Sequence, residues 1–155
     1  MNEQPGDALT EGFGYWLCRL EREVHAASNR GFAPLGVSTP EWVALALISR
    51  GFETPAALAD ELDIDRAAVT RTLGLLQAKG LIRTVPHPTD GRSTLLKLTC
   101  DGTRLLPKLA AASLATDRTF LNALASEDSD ALLRLIRQVA VRCPKSPSGA
   151  GKLDC

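Results

Sequence analysis

Residues 54–99 carry the feature that most restricts how this 155-residue chain can fold: two helix patterns in close succession, followed by two β-prone runs. The first helix pattern begins at Thr54-Pro55, because threonine is a favoured cap and proline suits the first helical position. The run 63–65 predicts a turn and a second cap, and a further helix is predicted from Arg66 to Lys79, where Gly80 ends it. Two helices joined by about three residues form a helix-turn-helix pattern.

A β-hairpin is predicted directly after this helix pair. Leu81–Val85 is a short β-prone run, and Leu95–Thr99 alternates apolar with polar residues. The segment between them, PHPTDGRST, is rich in turn-forming residues, which predicts a hairpin with a long tip. The fold class that follows is mainly α with a small β-hairpin (α+β), in which a winged helix-turn-helix lobe is combined with a further helical region.

The rest of the chain is predicted to form helices with flexible terminal segments. Apolar residues recur at helical spacing on both sides of the lobe, and Pro/Gly/Ser composition marks the connections. The predicted segments are a flexible arm over 1–9, a helix over 10–28, a connector over 29–38, a helix from Thr39-Pro40 to Gly51 with Thr39 as its N-cap, a helix from Thr99 to about Ala123, a helix from Ser126 to about Arg142, and a flexible tail over 144–155.

Charge is unevenly distributed, although the formal net charge is zero. Residues 41–65 carry six acids against one base, and residues 66–99 carry six bases against one acid. Such a separation can create a local phosphate-binding face on a neutral protein. The alternative is an ordinary solvated charged surface.

The second helix of the pair and the hairpin tip hold the candidate DNA contacts. When its apolar stripe packs inward, the outer face of the helix presents Arg66, Ala67, Thr70 and Arg71, and arginine there can pair with guanine in the major groove. The hydroxyl of Thr54 at a helix start suits a phosphate. At the hairpin tip, Arg92 can enter a minor groove while Asp90 braces its guanidinium. The simpler alternatives are a solvated helix face and a plain Asp-Gly turn.

These residues follow one another in the order of a known family. The pattern comprises L-A-x-x-L at Leu58–Leu62, V-T-R at Val69–Arg71, L-x-x-K-G-L-I at Leu76–Ile82, D-x-R at Asp90–Arg92 and L-T-x-x-G at Leu98–Gly102. Over about residues 10–142 the chain resembles the MarR family of bacterial winged helix-turn-helix regulators.

The resemblance implies a homodimer on a palindromic DNA operator. The helical dimerisation region would then comprise 10–38 and 100–143, and the winged lobe would comprise 39–99. Long apolar stripes on the flanking helices agree, because one copy alone would expose much of them. Two-fold symmetry predicts half-sites about one helical turn apart.

The resemblance also implies an effector. Relatives commonly act as repressors that are released by small aromatic acids or phenols bound between the dimer helices and the winged lobe. The candidate ligand contacts are Tyr15, Trp16, Arg19, His25 and Trp42. An apolar wall with one cation suits an aromatic carboxylate, although both tryptophans can equally belong to the core and Arg19 can form a surface or dimer ion pair.

Cys18 raises an alternative trigger. Some relatives sense organic peroxides with a cysteine in the first helix, but Gly14 occupies that position here and Cys18 follows one turn later. The second hypothesis is therefore a redox-sensing repressor that uses Cys18. The simpler alternative is that Cys18 is a buried, inert thiol.

Other functional classes find little support in the sequence. The four cysteines and two histidines show no metal-ligand spacing, and there is no fingerprint of a cofactor site or of a catalytic nucleophile. We therefore expect no cofactor, no metal and no enzymatic activity. A membrane-length apolar run and a signal-peptide pattern are both missing, so a cytoplasmic protein without a membrane partner is expected.

Overall fold

The computed structural model describes residues 12–87 and 94–142. The arm 1–9, the tail 144–155 and the tip of the hairpin, with Asp90 and Arg92, lie outside the described residues. The described elements, in chain order, are α1 (Phe13–Phe32), a 3₁₀ turn (Ala33–Leu35), α2 (Thr39–Ser49), α3 (Pro55–Leu62), α4 (Arg66–Ala78), β1 (Ile82–Pro86), β2 (Thr94–Leu98), α5 (Cys100–Leu121) and α6 (Ser126–Arg142). The predicted fold class, mainly helical with one small hairpin, is confirmed.

Side-chain caps define the helix-turn-helix. The Thr54 hydroxyl accepts a hydrogen bond from the amide of Ala57 at 3.1 Å, which starts α3. Asp63 ends α3 in the left-handed conformation, with φ of 51°. The Asp65 carboxylate then accepts from the amide of Ala68 at 2.7 Å and starts α4. The Asp-Ile-Asp run therefore turns the chain within three residues, as its composition predicted.

The hairpin is antiparallel, with Ile82 opposite Leu98 and Pro86 opposite Thr94. The segment before α3 supports it, because the amide of Leu96 donates to the carbonyl of Glu53 at 2.7 Å. The side chain of Glu53 also forms an ion pair with Lys97. Strand β2 is thus bonded to Glu53, in the segment that directly precedes the helix-turn-helix.

The core lies where the lobe meets the helical region. α2 runs through its centre and contributes Ala44, Leu45, Leu47 and Ile48. α3, α4 and the hairpin cover one side, and α1 and α5 cover the other. The remaining buried apolar residues are Phe32, Val37, Leu58, Ala59, Val69, Leu73, Leu76, Leu81, Ile82, Leu96 and Leu109.

The predicted connector over 29–38 is wrong in its first half, because α1 continues to Phe32 and a 3₁₀ turn follows it. Tertiary packing overrides the glycine there. A Cβ built on Gly31 would meet the hydroxyl of Thr116 on α5 at 3.4 Å, so the small residue suits the close approach of two helices. Phe32 is buried and lies 6.0 Å from the ring of Trp42.

The flanking helices leave a broad apolar surface within one copy of the chain. None of the residues of α6 is buried. On α1 the side chains of Phe13, Trp16, Leu17 and Leu20 are exposed, at 68%, 53%, 49% and 42%. Across the described ranges no single helix is long and apolar enough to cross a membrane, although the bent pair Phe13–Leu35 and Thr39–Ser49, which meet at 76°, passes on length and composition together.

Candidate nucleic-acid interface

The outer face of α4 presents the four helix residues that the sequence analysis selected. Arg66, Ala67, Thr70 and Arg71 are all exposed, whereas Val69, Leu73 and Leu76 on the opposite face are buried. The hydroxyl of Thr70 donates to the carbonyl of Arg66 at 2.8 Å, which orients its methyl group and oxygen on that face. The four residues occupy the first half of the helix, the part that reaches base edges in helix-turn-helix proteins.

Thr54 lies at the start of α3 and is half-buried. Its hydroxyl oxygen accepts the capping bond from Ala57. A threonine hydroxyl that accepts such a bond can also donate one to a phosphate oxygen, and the first turn of a helix favours an anion. The structure therefore keeps Thr54 compatible with both a structural role and a phosphate contact.

The described part of the hairpin carries two basic residues. Arg83 on β1 is exposed and lies opposite Lys97 on β2. The predicted tip contacts, Asp90 and Arg92, fall in the segment 88–93 outside the described residues. Their roles stay predictions.

Two basic residues of the stretch 66–99 form ion pairs with acidic residues of the stretch 41–65. Lys97 pairs with Glu53 on the hairpin, and the Lys79 ammonium lies 2.6 Å from the carboxylate of Glu41. The charge counts along the sequence therefore overstate the separation of charge in space. Arg66, Arg71 and Arg83 are the exposed arginines of that stretch among the described residues.

Glu41 was not selected from the sequence, yet it is the buried charged residue of the described chain, with 1% of its surface exposed. Its carboxylate accepts hydrogen bonds from the amide of Ser38 at 2.7 Å and from the hydroxyl of Ser38 at 2.9 Å. Burial raises the pKa of Glu41, but the hydrogen bonds from Lys79 and Ser38 outweigh burial, so the net pKa is lowered. The S-x-x-E spacing of a capping box was the sequence sign for this residue. Ser38, and not Thr39 as predicted, is the N-cap of α2.

A cavity of about 250 Å³ lies between the end of α1 and the winged lobe. Its wall is mostly apolar, with one histidine and two threonines. The lining residues are His25, Thr39, Pro40, Val43, Ala44, Leu58, Leu62, Ile64, Val69 and Thr72. Of its lining, only His25 lies on α1, and most of the other residues were not anticipated, because the apolar side chains of a lining and of a core look alike in a sequence.

The five predicted ligand contacts do not converge. His25 lines the cavity. Trp42 packs against Phe32. Tyr15, Trp16 and Arg19 form a separate cluster on α1, in which the two rings meet edge to face at 5.4 Å and the guanidinium lies 5.5 Å from the ring centre of Trp16. Of the five, His25 is the one that faces this cavity.

The described thiols are Cys18, which is half-buried on α1, and Cys100, which is exposed at the start of α5. Over the same described ranges no three histidine, cysteine or carboxylate side chains come together as a metal site would require.

Residues 35–93, which contain α2–α4 and β1, match the MarR family profile. The multiple antibiotic resistance protein MarR of Salmonella typhimurium is 39% identical to this chain over 75 residues, which make up 48% of this chain and 52% of that protein. The chain thus matches about half the length of such curated relatives.

Solved structures agree with this match. A mutant of E. coli MarR in complex with operator DNA superposes with a TM-score of 0.75 at 24% identity, covering 81% of this chain and 91% of that one. A MarR family protein of Mycobacterium tuberculosis in complex with salicylic acid has a TM-score of 0.70 at 25% identity, covering 83% and 96%. The profile match and the winged helix-turn-helix lobe cover the same part of the chain, which is therefore similar to the MarR family over residues 35–93.

Proposed function

We propose that this protein is a sequence-specific DNA-binding transcriptional regulator of the cytoplasm, acting as a homodimeric repressor that a small aromatic or phenolic ligand releases from DNA. The observation that carries the proposal is the outer face of α4. There Arg66 and Arg71 stand exposed on either side of Thr70, while Lys79 and Lys97 are engaged by Glu41 and Glu53. Arginine side chains on the first half of such a helix suit guanine edges in the major groove.

The exposed apolar surface supports the homodimer. α6 buries none of its side chains within one copy, and its Leu135, Ile136 and Val139 are about half exposed, as are Trp16 and Leu17 on α1. Exposed apolar side chains repeated along two helices favour an association site. A two-fold dimer built through these helices would present two copies of α4 to one duplex, which suits a palindrome.

The cavity supports the ligand component. An apolar wall interrupted by His25, Thr39 and Thr72 can hold an aromatic ring while binding one or two polar substituents. The M. tuberculosis relative was solved with salicylic acid, and the E. coli relative was solved with operator DNA. Both ligands are therefore the natural first probes for this chain.

DNA binding is tested by fluorescence anisotropy with labelled duplexes that tile the region upstream of the protein's own gene. Loss of a bidentate arginine–guanine pair costs about 1–3 kcal/mol, so Arg71→Ala and Arg66→Ala should each weaken binding about 5- to 150-fold. Arg118→Ala is the matched control, because Arg118 is exposed near the far end of α5. Equal affinities of the wild type, Arg66→Ala and Arg71→Ala would contradict the assigned interface.

Ligand binding is tested separately by calorimetric titration with salicylate. We expect saturable binding to the wild type, weaker binding to His25→Ala, and release of bound duplex over the same range of salicylate concentration. Thr119→Ala, on an exposed part of α5, serves as the control variant. If salicylate and its simple phenolic analogues bind the wild type and His25→Ala alike, the cavity is not the effector site, whatever the DNA results.

A further inference from the structure

The buried carboxylate of Glu41 joins three separate parts of the chain. Its two oxygens lie 2.6 and 2.8 Å from the Lys79 ammonium, and one of them also accepts from Ser38. The same ammonium donates to the carbonyl of Gly36 at 2.8 Å. Lys79 is the C-terminal cap of α4, Glu41 lies in the first turn of α2, and Gly36 follows the 3₁₀ turn after α1. We call this set of contacts the Lys79 junction.

Further polar contacts connect the junction to the helical region. The side-chain oxygen of Asn29 on α1 accepts from the amide of Thr39 at 3.0 Å and from its hydroxyl at 2.9 Å. The start of α2 is therefore fixed to α1 two residues before Glu41. Hydrogen bonds therefore join α1 to the start of α2, and the first turn of α2 to the C-terminal cap of α4.

The opposite end of α4 is held differently. Its first turn is capped locally by Asp65, and the cavity lies along its inner side at Val69 and Thr72. Arg66 lies at the end of α4 farthest from Lys79 and Arg71 lies near the middle of the helix, so a change of helix angle at Lys79 moves both, and Arg66 the more. At 1.5 Å per residue, Arg66 lies about 20 Å along the helix axis from Lys79.

Over this length, a small rotation of α4 displaces its N-terminal end by a distance comparable with the spacing of base pairs. A tilt of about 10° about Lys79 would move the N-terminal end of α4 by about 3.4 Å, which is roughly the rise of one base pair. The pair resists such a tilt, because the Glu41 carboxylate is 2% exposed and would be left buried without its partner, while the Lys79 side chain is 39% exposed.

We propose that Lys79 is a positioning residue, which with Glu41 and Gly36 fixes the angle between the recognition helix and the helical region and thereby the half-site spacing that the dimer accepts. This inference rests on the proposed DNA-binding function and deepens it. Lys79 need not contact DNA in this role, since it acts through the placement of Arg66 and Arg71.

The test is selection from a pool of randomised duplexes, followed by sequencing and by affinity measurements on the selected sites. The variants are Lys79→Met, Lys79→Arg and the double variant Glu41→Gln/Lys79→Met, which removes both charges and leaves no unpaired buried carboxylate. Arg104→Ala is the matched control, because it removes an exposed ion pair with Asp101 on α5. Thermal unfolding of each variant shows which of them fold.

We expect the wild type and Arg104→Ala to select one half-site spacing, and to bind a duplex lengthened by one base pair about tenfold more weakly or worse. The folded charge-removing variants should select at least two adjacent spacings and discriminate by less than about threefold, with the same base preferences inside each half-site. Lys79→Arg should keep the single spacing.

Two results would overturn the inference. A double variant that folds and still selects one spacing as sharply as the wild type would show that Lys79 does not set the geometry, while leaving the proposed function intact. A wild type that enriches no duplex sequence would refute the proposed function and this inference with it.

Discussion

Replacing Gly102 with alanine should destabilise the protein, although alanine is the better helix former. Gly102 is buried in the first turn of α5, where it lies against the backbone of Leu81. A Cβ built there would come closer to the Leu81 carbonyl oxygen than the 3.0 Å that real Cβ atoms respect, and it would lie 3.1 Å from the carbonyl carbon. Both partners are backbone, so no side-chain rotation can relieve the overlap.

The magnitude follows from the contacts that would have to open. The amide of Thr99 donates to the carbonyl of Leu81 at 3.1 Å, the hydroxyl of Thr99 donates to the carbonyl of Gly80 at 2.6 Å, and the amide of Gly102 donates to that hydroxyl at 3.1 Å. Loss of three such bonds costs about 1.5–4.5 kcal/mol in total. Alanine returns about 1 kcal/mol through helix propensity, so we expect a net loss of about 0.5–3.5 kcal/mol.

Urea unfolding followed by far-ultraviolet circular dichroism, at one fixed protein concentration, measures this loss. Gly74→Ala is the matched control, because Gly74 is an exposed helical glycine whose added Cβ would meet nothing within 4 Å. The control should gain up to about 1 kcal/mol. If Gly102→Ala were as stable as the wild type or more stable, the close approach to Leu81 would not be a constraint and the reasoning would fail.

Three further predictions concern single residues. Since the pKa of Glu41 is lowered on folding, the stabilisation that its carboxylate contributes is present above the ordinary pKa of 4.5 and is lost as the pH falls through the folded pKa. In urea unfolding, Glu41→Gln should therefore lose less stability in acid than the wild type does. Parallel pH profiles of the two proteins would contradict this. Asp63 has a positive φ, so Asp63→Val should cost about 1–2 kcal/mol in thermal unfolding while Asp63→Gly should cost little, and equal losses would exclude strain at this turn. Because the proposed trigger is a ligand in the cavity, organic peroxide should affect DNA binding by the wild type and by Cys18→Ser alike. Release of DNA from the wild type alone would favour the hypothesis that Cys18 is a redox sensor.

The order of elements was predictable because local chemistry determines it. Thr54 and Asp65 are good caps in a sequence and act as caps in the structure, and the alternation over Leu95–Thr99 appears as a strand. The end of α1 was not predictable in the same way. Asn29 and Gly31 are loop formers by composition, but Asn29 binds Thr39 and Gly31 lies against α5, so contacts with distant residues keep both in a helix.

The candidate site was likewise predictable only where local sequence patterns determine it. Exposure of Arg66 and Arg71 follows from helical periodicity, because the buried stripe of α4 fixes the opposite face. The partners of Lys79 and Lys97 lie 38 and 44 residues away in sequence, and no local pattern pairs them. The cavity is harder still, since its walls come from four helices and consist mostly of residues that any core would use.

Two of the motifs that carry the family resemblance meet at one corner of the structure. Lys79, Gly80 and Leu81 form the corner where α4 turns into the wing, and Gly80 makes the turn with φ of 69°. The carboxylate of Glu41 holds this corner from one side through Lys79. The residues Thr99 and Gly102 hold it from the other side, through hydrogen bonds to the Gly80 and Leu81 carbonyls and through close backbone contact. The K-G-L and T-x-x-G motifs therefore share a structural role, because their residues join the end of α4 and the start of the wing to the first turn of α5. Substitutions at this corner should change where the reading residues are placed before they change which bases those residues prefer.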